Sequence, residues 1–135
     1  MNEYFADSSY YIGLLVSTDE AHEPATRLTP ELDGPIITTS FVLLELSAYF
    51  ARPPQRAVWS AFVQQMRADA HVTVLPASEE WVERGWAIYQ AHVDKSWSLT
   101  DCISFAVMRE RDITDALTTD HHFLQAGFRR LLAQS

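Results

Sequence analysis

The chain has 135 residues and a mass of 15.4 kDa, room for one compact domain and little more. Its apolar share of 47% excludes a disordered chain, because there is ample side chain to build a core. The formal charge of −8 argues against the basic surface that binding to phosphates normally requires. A single cysteine, Cys102, excludes an intramolecular disulfide and a cysteine-based zinc site. The N-terminal stretch Met1–Asp7 lacks the positive n-region of a signal peptide, and no apolar run approaches a membrane span. A cytoplasmic protein with no membrane partner is the expectation. Four scattered glycines exclude a phosphate-cradling loop.

Taken in chain order, Tyr4–Ala6 is a predicted strand that ends at Asp7. Ser8–Ser17 follows as a helix with Tyr11, Leu14 and Leu15 at helical spacing, and Glu20–Leu32 as a more polar one. Asp33-Gly34-Pro35 is a turn before a strand at Pro35–Thr38. Thr39 and Ser40 are capping residues for an apolar helix, Phe41–Ala51, which Pro53-Pro54 stops. Gln55–Ala70 is amphipathic, with Val58, Trp59, Phe62, Val63 and Met66 on one face. A strand at Val72–Leu75 precedes helices from Ser78 to about His92 and from Ser98 to about Arg111. Ala116–Thr118 is a strand, Asp120 starts a last helical turn, and Phe128–Leu132 is a predicted edge strand. This alternation predicts βαβ crossovers and a mainly parallel sheet of four to five strands. Such sheets gather functional groups at the carboxyl ends of their strands.

The polar residues that follow strands, or interrupt apolar helices, are therefore the ones to weigh. Asp7, Asp101 and Asp120 each precede or open a helix, so capping competes with function at each. Ser98-Leu99-Thr100-Asp101 has capping-box spacing. Glu45 differs: it lies mid-helix in Phe41-Val42-Leu43-Leu44-Glu45-Leu46, where no cap is needed and an unpartnered buried carboxylate is costly. Gathered on one side of a sheet, these acids would repel one another unless protons or a cation neutralised them. Oxygen ligands without paired soft ligands suit Mg²⁺, with Mn²⁺ as a substitute. Such an ion activates water and neutralises a phosphodiester. The hydroxyls of Ser8, Ser40, Thr100 and Thr118 are candidates to orient carboxylates or water, with capping as the competing role.

The order and surroundings of these acids resemble the PIN-domain family, and within it the VapC-type toxins of toxin–antitoxin pairs. The resemblance rests on Phe5-Ala6-Asp7-Ser8-Ser9, on Thr39 to Glu45, on Trp97 to Met108 and on Ala116 to Phe123, the third stretch being the most specific. It implies a three-layer α/β/α fold and a Mg²⁺- or Mn²⁺-dependent endoribonuclease. The family's acidic quartet falls on Asp7, Glu45, Asp101 and Asp120. Asp7 and Asp101 are then the principal metal ligands, Glu45 holds or orients water, and Asp120 completes the site. A homodimer and a separately encoded antitoxin laid over the acids are the implied partners, with RNA as substrate. Asp115 is expected to be a surface residue.

Other features carry less. His121-His122 invites a metal reading, but adjacent helical residues point in different directions, so no metal role is expected. Trp97 is the candidate for stacking a base, and Arg109 and Arg129 are candidates for RNA phosphates, against core packing and solvated helix ends. A non-catalytic PIN-like binding module is the alternative reading. A phosphoacceptor receiver domain would need a lysine late in the chain after a strand, and the only lysine is Lys95.

Overall fold

The computed structural model describes residues 2–133. Its centre is a five-stranded, all-parallel sheet in the order β3-β2-β1-β4-β5. The strands are β1 (Tyr4–Ala6), β2 (Ile36–Thr39), β3 (Val72–Leu75), β4 (Asp115–Leu117) and β5 (Arg129–Arg130). The chain runs outward from β1 through β2 to β3, then returns to the other side of β1 for β4 and β5. The order therefore reverses between β1 and β4, and a crevice opens at the carboxyl ends of that pair.

The helices are α1 (Ser8–Leu15), α2 (His22–Leu28), α3 (Ser40–Tyr49), α4 (Gln55–Ala68), α5 (Glu79–Ala91), α6 (Leu99–Glu110) and α7 (His121–Gln125). Right-handed crossovers put α1–α4 on one face and α5–α7 on the other. Contacts of α1 with α2 and α3, and of α6 with α5 and α7, agree with these two layers. The expected α/β/α architecture is observed, with the strand count at its upper value. No helix among the described residues is long and apolar enough to cross a membrane.

Most boundaries shift by a residue or two from the sequence expectation. The helix expected over Glu20–Leu32 shifts more: α2 starts at His22, Pro24 sits in its first turn, and Thr29–Glu31 tightens into a 3₁₀ turn around Pro30. Ser40 does not cap α3. Thr39 does, its hydroxyl accepting from Val42 N at 3.2 Å. The edge strand is only Arg129–Arg130.

The core holds α6 firmly. Cys102 through Met108 are all buried, so this helix is enclosed on every side. Phe105 packs edge-on against Phe123 and Trp97, while Phe123 stacks on Phe5 of β1. Gly85 of α5 is also buried. A Cβ there would stand 2.4 Å from Ile103 Cγ1 and 3.2 Å from the Ile103 backbone nitrogen, so α5 and α6 meet with backbones nearly touching.

Candidate active site

The site lies at the β1/β4 crevice. Asp7 directly follows β1 and is only 5% exposed. It occupies the residue before α1, yet its side chain makes no capping hydrogen bond, so the capping role fails here. Its Oδ2 accepts instead from the Thr118 hydroxyl at 2.9 Å, across from the end of β4. Thr118 has one proton to give, so its oxygen acts as acceptor toward Asp120 N at 3.0 Å and toward the Ser9 hydroxyl at 3.0 Å. Ser9 in turn accepts from Thr119 N at 3.1 Å. This chain of bonds locks the start of α1 to the loop that carries Asp120.

Asp101 and Asp120 do cap their helices. Asp101 Oδ2 accepts from Ser98 N at 3.2 Å while Ser98 Oγ accepts from Asp101 N at 3.0 Å, a complete capping box. Asp120 Oδ1 accepts from His122 N at 2.9 Å. Capping and membership of the site are thus compatible, because each cap uses one carboxylate oxygen. The second oxygen of Asp101 and of Asp120 accepts no hydrogen bond from a described residue. Glu45 is exposed on α3, so the burial argument made for it does not hold. The apolar residues beside it include Leu44, which is itself 66% exposed.

Electrostatics tie the four acids together. Burial pushes the Asp7 carboxyl up to about 7, and the charges of Asp101 and Glu45 push the same way, against the Ser8 amide and the Thr118 hydroxyl. Asp101 is likewise raised, first by burial and then by Asp120, with Ser98 and His122 opposing. Among the described residues, no arginine or lysine forms an ion pair with any of the four. Carboxylates held together with no arginine or lysine among them suit a hard divalent ion with oxygen ligands. The donor set therefore fits Mg²⁺ or Mn²⁺.

The supporting residues sort differently from expectation. Thr118 is central. The hydroxyls of Ser8, Ser40 and Thr100 make no hydrogen bond to these acids among the described residues, and the Ser9 hydroxyl takes the place given to that of Ser8. His122 joins the site: its Nδ1 lies 3.0 Å from Asp101 Oδ2 and 3.4 Å from Asp120 Oδ1. The divergence expected for His121 and His122 does not occur. Both stand in the first turn of a five-residue helix beneath Asp120, their rings 4.4 Å apart and His121 Nδ1 3.6 Å from Asp120 Oδ1.

Trp97 is 5% exposed, and its indole N–H donates to Gln125 Oε1 at 2.9 Å. It joins the α6 start to α7 and offers no open face for a base. Arg109 ends α6 and Arg129 opens β5, so both lie at the opposite, amino-end rim of the sheet. Arg129 is also held by Asp115 at 2.6 and 2.9 Å, and Asp115, expected at the surface, is half-buried in this pair. The arginine near the site is Arg130, whose Nη1 donates to the Thr119 carbonyl at 3.0 Å. Its position one residue further along β5 is the signal that strand alternation offered.

Comparison with known proteins bears on the family and the fold. The chain is 30% identical over 125 residues to the 23S rRNA-specific endonuclease VapC20 of Mycobacterium tuberculosis, covering 92% of this chain and 94% of that one. The crystal structure of M. tuberculosis VapC20, described as a sarcin-ricin loop cleaving toxin, superposes with a TM-score of 0.84 at 28% identity, covering 93% and 96% of the two chains. A toxin–antitoxin complex from Klebsiella pneumoniae shares the fold, with a TM-score of 0.67 at 14% identity over 97% of this chain and 99% of that one. The PIN-domain pattern itself matches residues 4–129, so the chain belongs to the PIN-domain family.

Proposed function

We propose that this protein is a Mg²⁺- or Mn²⁺-dependent endoribonuclease that acts as the toxin of a toxin–antitoxin pair, with structured ribosomal RNA as its substrate class. The observation that carries the reading is Asp7. A buried carboxylate raised to about 7 by burial and by neighbouring acids, with no arginine or lysine beside it, is arranged for a cation. The endonuclease relative that spans nearly the whole chain supports the substrate class.

Asp7 and Asp101 are the principal ligands, with Asp120 completing the set. When bound, the ion supplies Lewis-acid activation of water and offsets charge on the phosphodiester. Thr118 fixes the Asp7 carboxylate by donating to Oδ2, and His122 with Ser98 fixes Asp101. Exposed Glu45 faces solvent, where it orients the attacking water and accepts its proton. Arg130 keeps guanidinium N–H groups free beyond its bond to Thr119, and these hold a phosphate next to the scissile one. Leu44 and Tyr49, 66% and 60% exposed on the helix that carries Glu45, give an antitoxin or a second copy an apolar surface beside the acids.

The test is cleavage of ribosomal RNA and of a sarcin-ricin loop oligonucleotide by the purified protein, with RNA 5′ ends mapped. Cleavage at defined positions that depends on Mg²⁺ or Mn²⁺ and stops with chelator is expected. An intact RNA under every metal condition would move the protein to a non-catalytic binding module.

A further inference from the structure

We propose that Asp120, His121 and His122 form a binding site for a borderline transition-metal ion, of the Zn²⁺ or Co²⁺ class, at the rim of the carboxylate cluster. One ligand atom from each of Asp120, His121 and His122 lies within 4.8 Å of the other two. The convergence has a local cause. Asp120 caps α7 through His122 N, which fixes its carboxylate above the first helical turn, and both imidazoles occupy that turn. The Asp120–His122 and Asp120–His121 separations are 3.4 and 3.6 Å. Two ligands on one tetrahedral zinc, each bound at roughly 2.0–2.1 Å, stand about 3.3 Å apart. The pairs are therefore already spaced for a shared ion. The remaining adjustment falls to His121, whose side chain is 66% exposed and free to rotate.

A second observation points the same way. His122 Nε2 lies 3.3 Å from Ser96 Oγ on the loop before α6. In the metal-free chain His122 Nδ1–H donates to Asp101 Oδ2 at 3.0 Å; metal binding takes the other tautomer, in which the proton sits on Nε2 and is donated to Ser96 while Nδ1 presents its lone pair to the cluster. That outer hydrogen bond is the usual partner of a metal-bound histidine. Nitrogen donors also separate this site chemically from the oxygen site beside it. Imidazole suits Zn²⁺, Co²⁺ and Ni²⁺, whereas Mg²⁺ prefers oxygen.

Occupancy has a consequence for the neighbouring acids. His122 Nδ1 stands 3.0 Å from Asp101 Oδ2 in the same structure. An ion seated on His122 and Asp120 engages an acid of the proposed magnesium site and competes with the His122–Asp101 hydrogen bond. Only this inhibitory consequence rests on the ribonuclease reading; the binding itself does not.

The test uses the full chain, stripped of metal and titrated with Co²⁺ alone, read by visible absorption, with Zn²⁺ followed by calorimetry. One ion per chain and the intense visible band of a low-coordinate, nitrogen-ligated cobalt centre are expected. His121→Ala should weaken binding about tenfold or more, while Mg²⁺-supported cleavage persists and loses its sensitivity to Zn²⁺. Asp7→Asn should lose cleavage and keep the band. If His121→Ala binds Co²⁺ as tightly as the wild type, or if Asp7→Asn abolishes the band, the ion sits among the carboxylates and the proposal fails. Because the band is read without RNA, a chain that cleaves nothing still tests the site.

Discussion

The two rims of the sheet treat their acidic residues in opposite ways. At the amino end, Glu3 takes a two-point ion pair from Arg111 at 2.8 and 3.2 Å, and Asp115 takes one from Arg129. At the carboxyl end, Asp7 and Asp101 are withdrawn from solvent, raised by one another's neighbours, and given no arginine or lysine among the described residues. The net charge of −8 conceals this division. Acids at the amino-end rim are neutralised by the chain's own arginines, and those at the carboxyl-end rim, the ones proposed to hold the ion, are not. A bound cation reverses the local field, so overall charge is a poor guide to what such a rim binds.

The largest effects should come from the carboxyl-end rim. Asp7→Asn or Asp101→Asn should lower Mg²⁺-dependent RNA cleavage by at least about 10²-fold and relieve growth arrest, with circular dichroism unchanged. If both variants cleave at the wild-type rate, the contrast between the rims carries no functional meaning. Next is the pH dependence of stability in chelator. Between pH about 4 and about 7 the native protein holds a proton on Asp7 that the unfolded chain, with an ordinary carboxyl, has released. Stability should therefore fall as pH rises through that window and level off above it. Urea melts should show Asp7→Asn flattening this fall, with a gain of about 1–3 kcal/mol at pH 8. Added Mg²⁺ should recover stability at pH 8 in the wild type and much less in the variant.

Smaller effects test the arginines. Arg130→Ala should raise the RNA concentration needed for half-maximal cleavage several-fold and reduce the salt dependence of binding by about one counterion, with little change in the maximal rate. Arg129→Ala should change cleavage hardly at all and stability by about 1 kcal/mol, because Arg129 is exposed while its partner Asp115 is mostly shielded from solvent. An Arg129→Ala defect as large as that of Arg130→Ala would erase the distinction between the two ends of β5.

Much of this was legible beforehand for a simple reason. In a parallel sheet the residue after a strand lies at one rim, so Asp7 and Asp120 could be placed from alternation alone. Sheet polarity also holds the answer for Arg109, which precedes β4, and Arg129, which opens β5, but reading them by composition rather than direction misplaces them. Trp97 was misread because burial depends on which helices meet, and nothing in a local window says that α7 closes over it with Gln125. The closeness of His121 and His122 likewise follows from a helix too short for its regular spacing to decide side-chain directions. For Glu45 the argument from burial fails, because the residue is exposed on α3.

The near contact of Gly85 with Ile103 links the outer layer of the molecule to its chemistry. Asp101 stands two residues before Ile103 on the same enclosed helix, so the seat of the helix that carries this carboxylate depends on a glycine with no chemistry of its own. Gly85→Ala drives a methyl into the Ile103 side chain, and α5 and α6 must part to admit it. The result to expect is a conditional allele: a toxin that arrests growth at low temperature and is harmless a few degrees higher. Control of toxicity would then lie in the packing of two helices rather than in any residue that touches RNA.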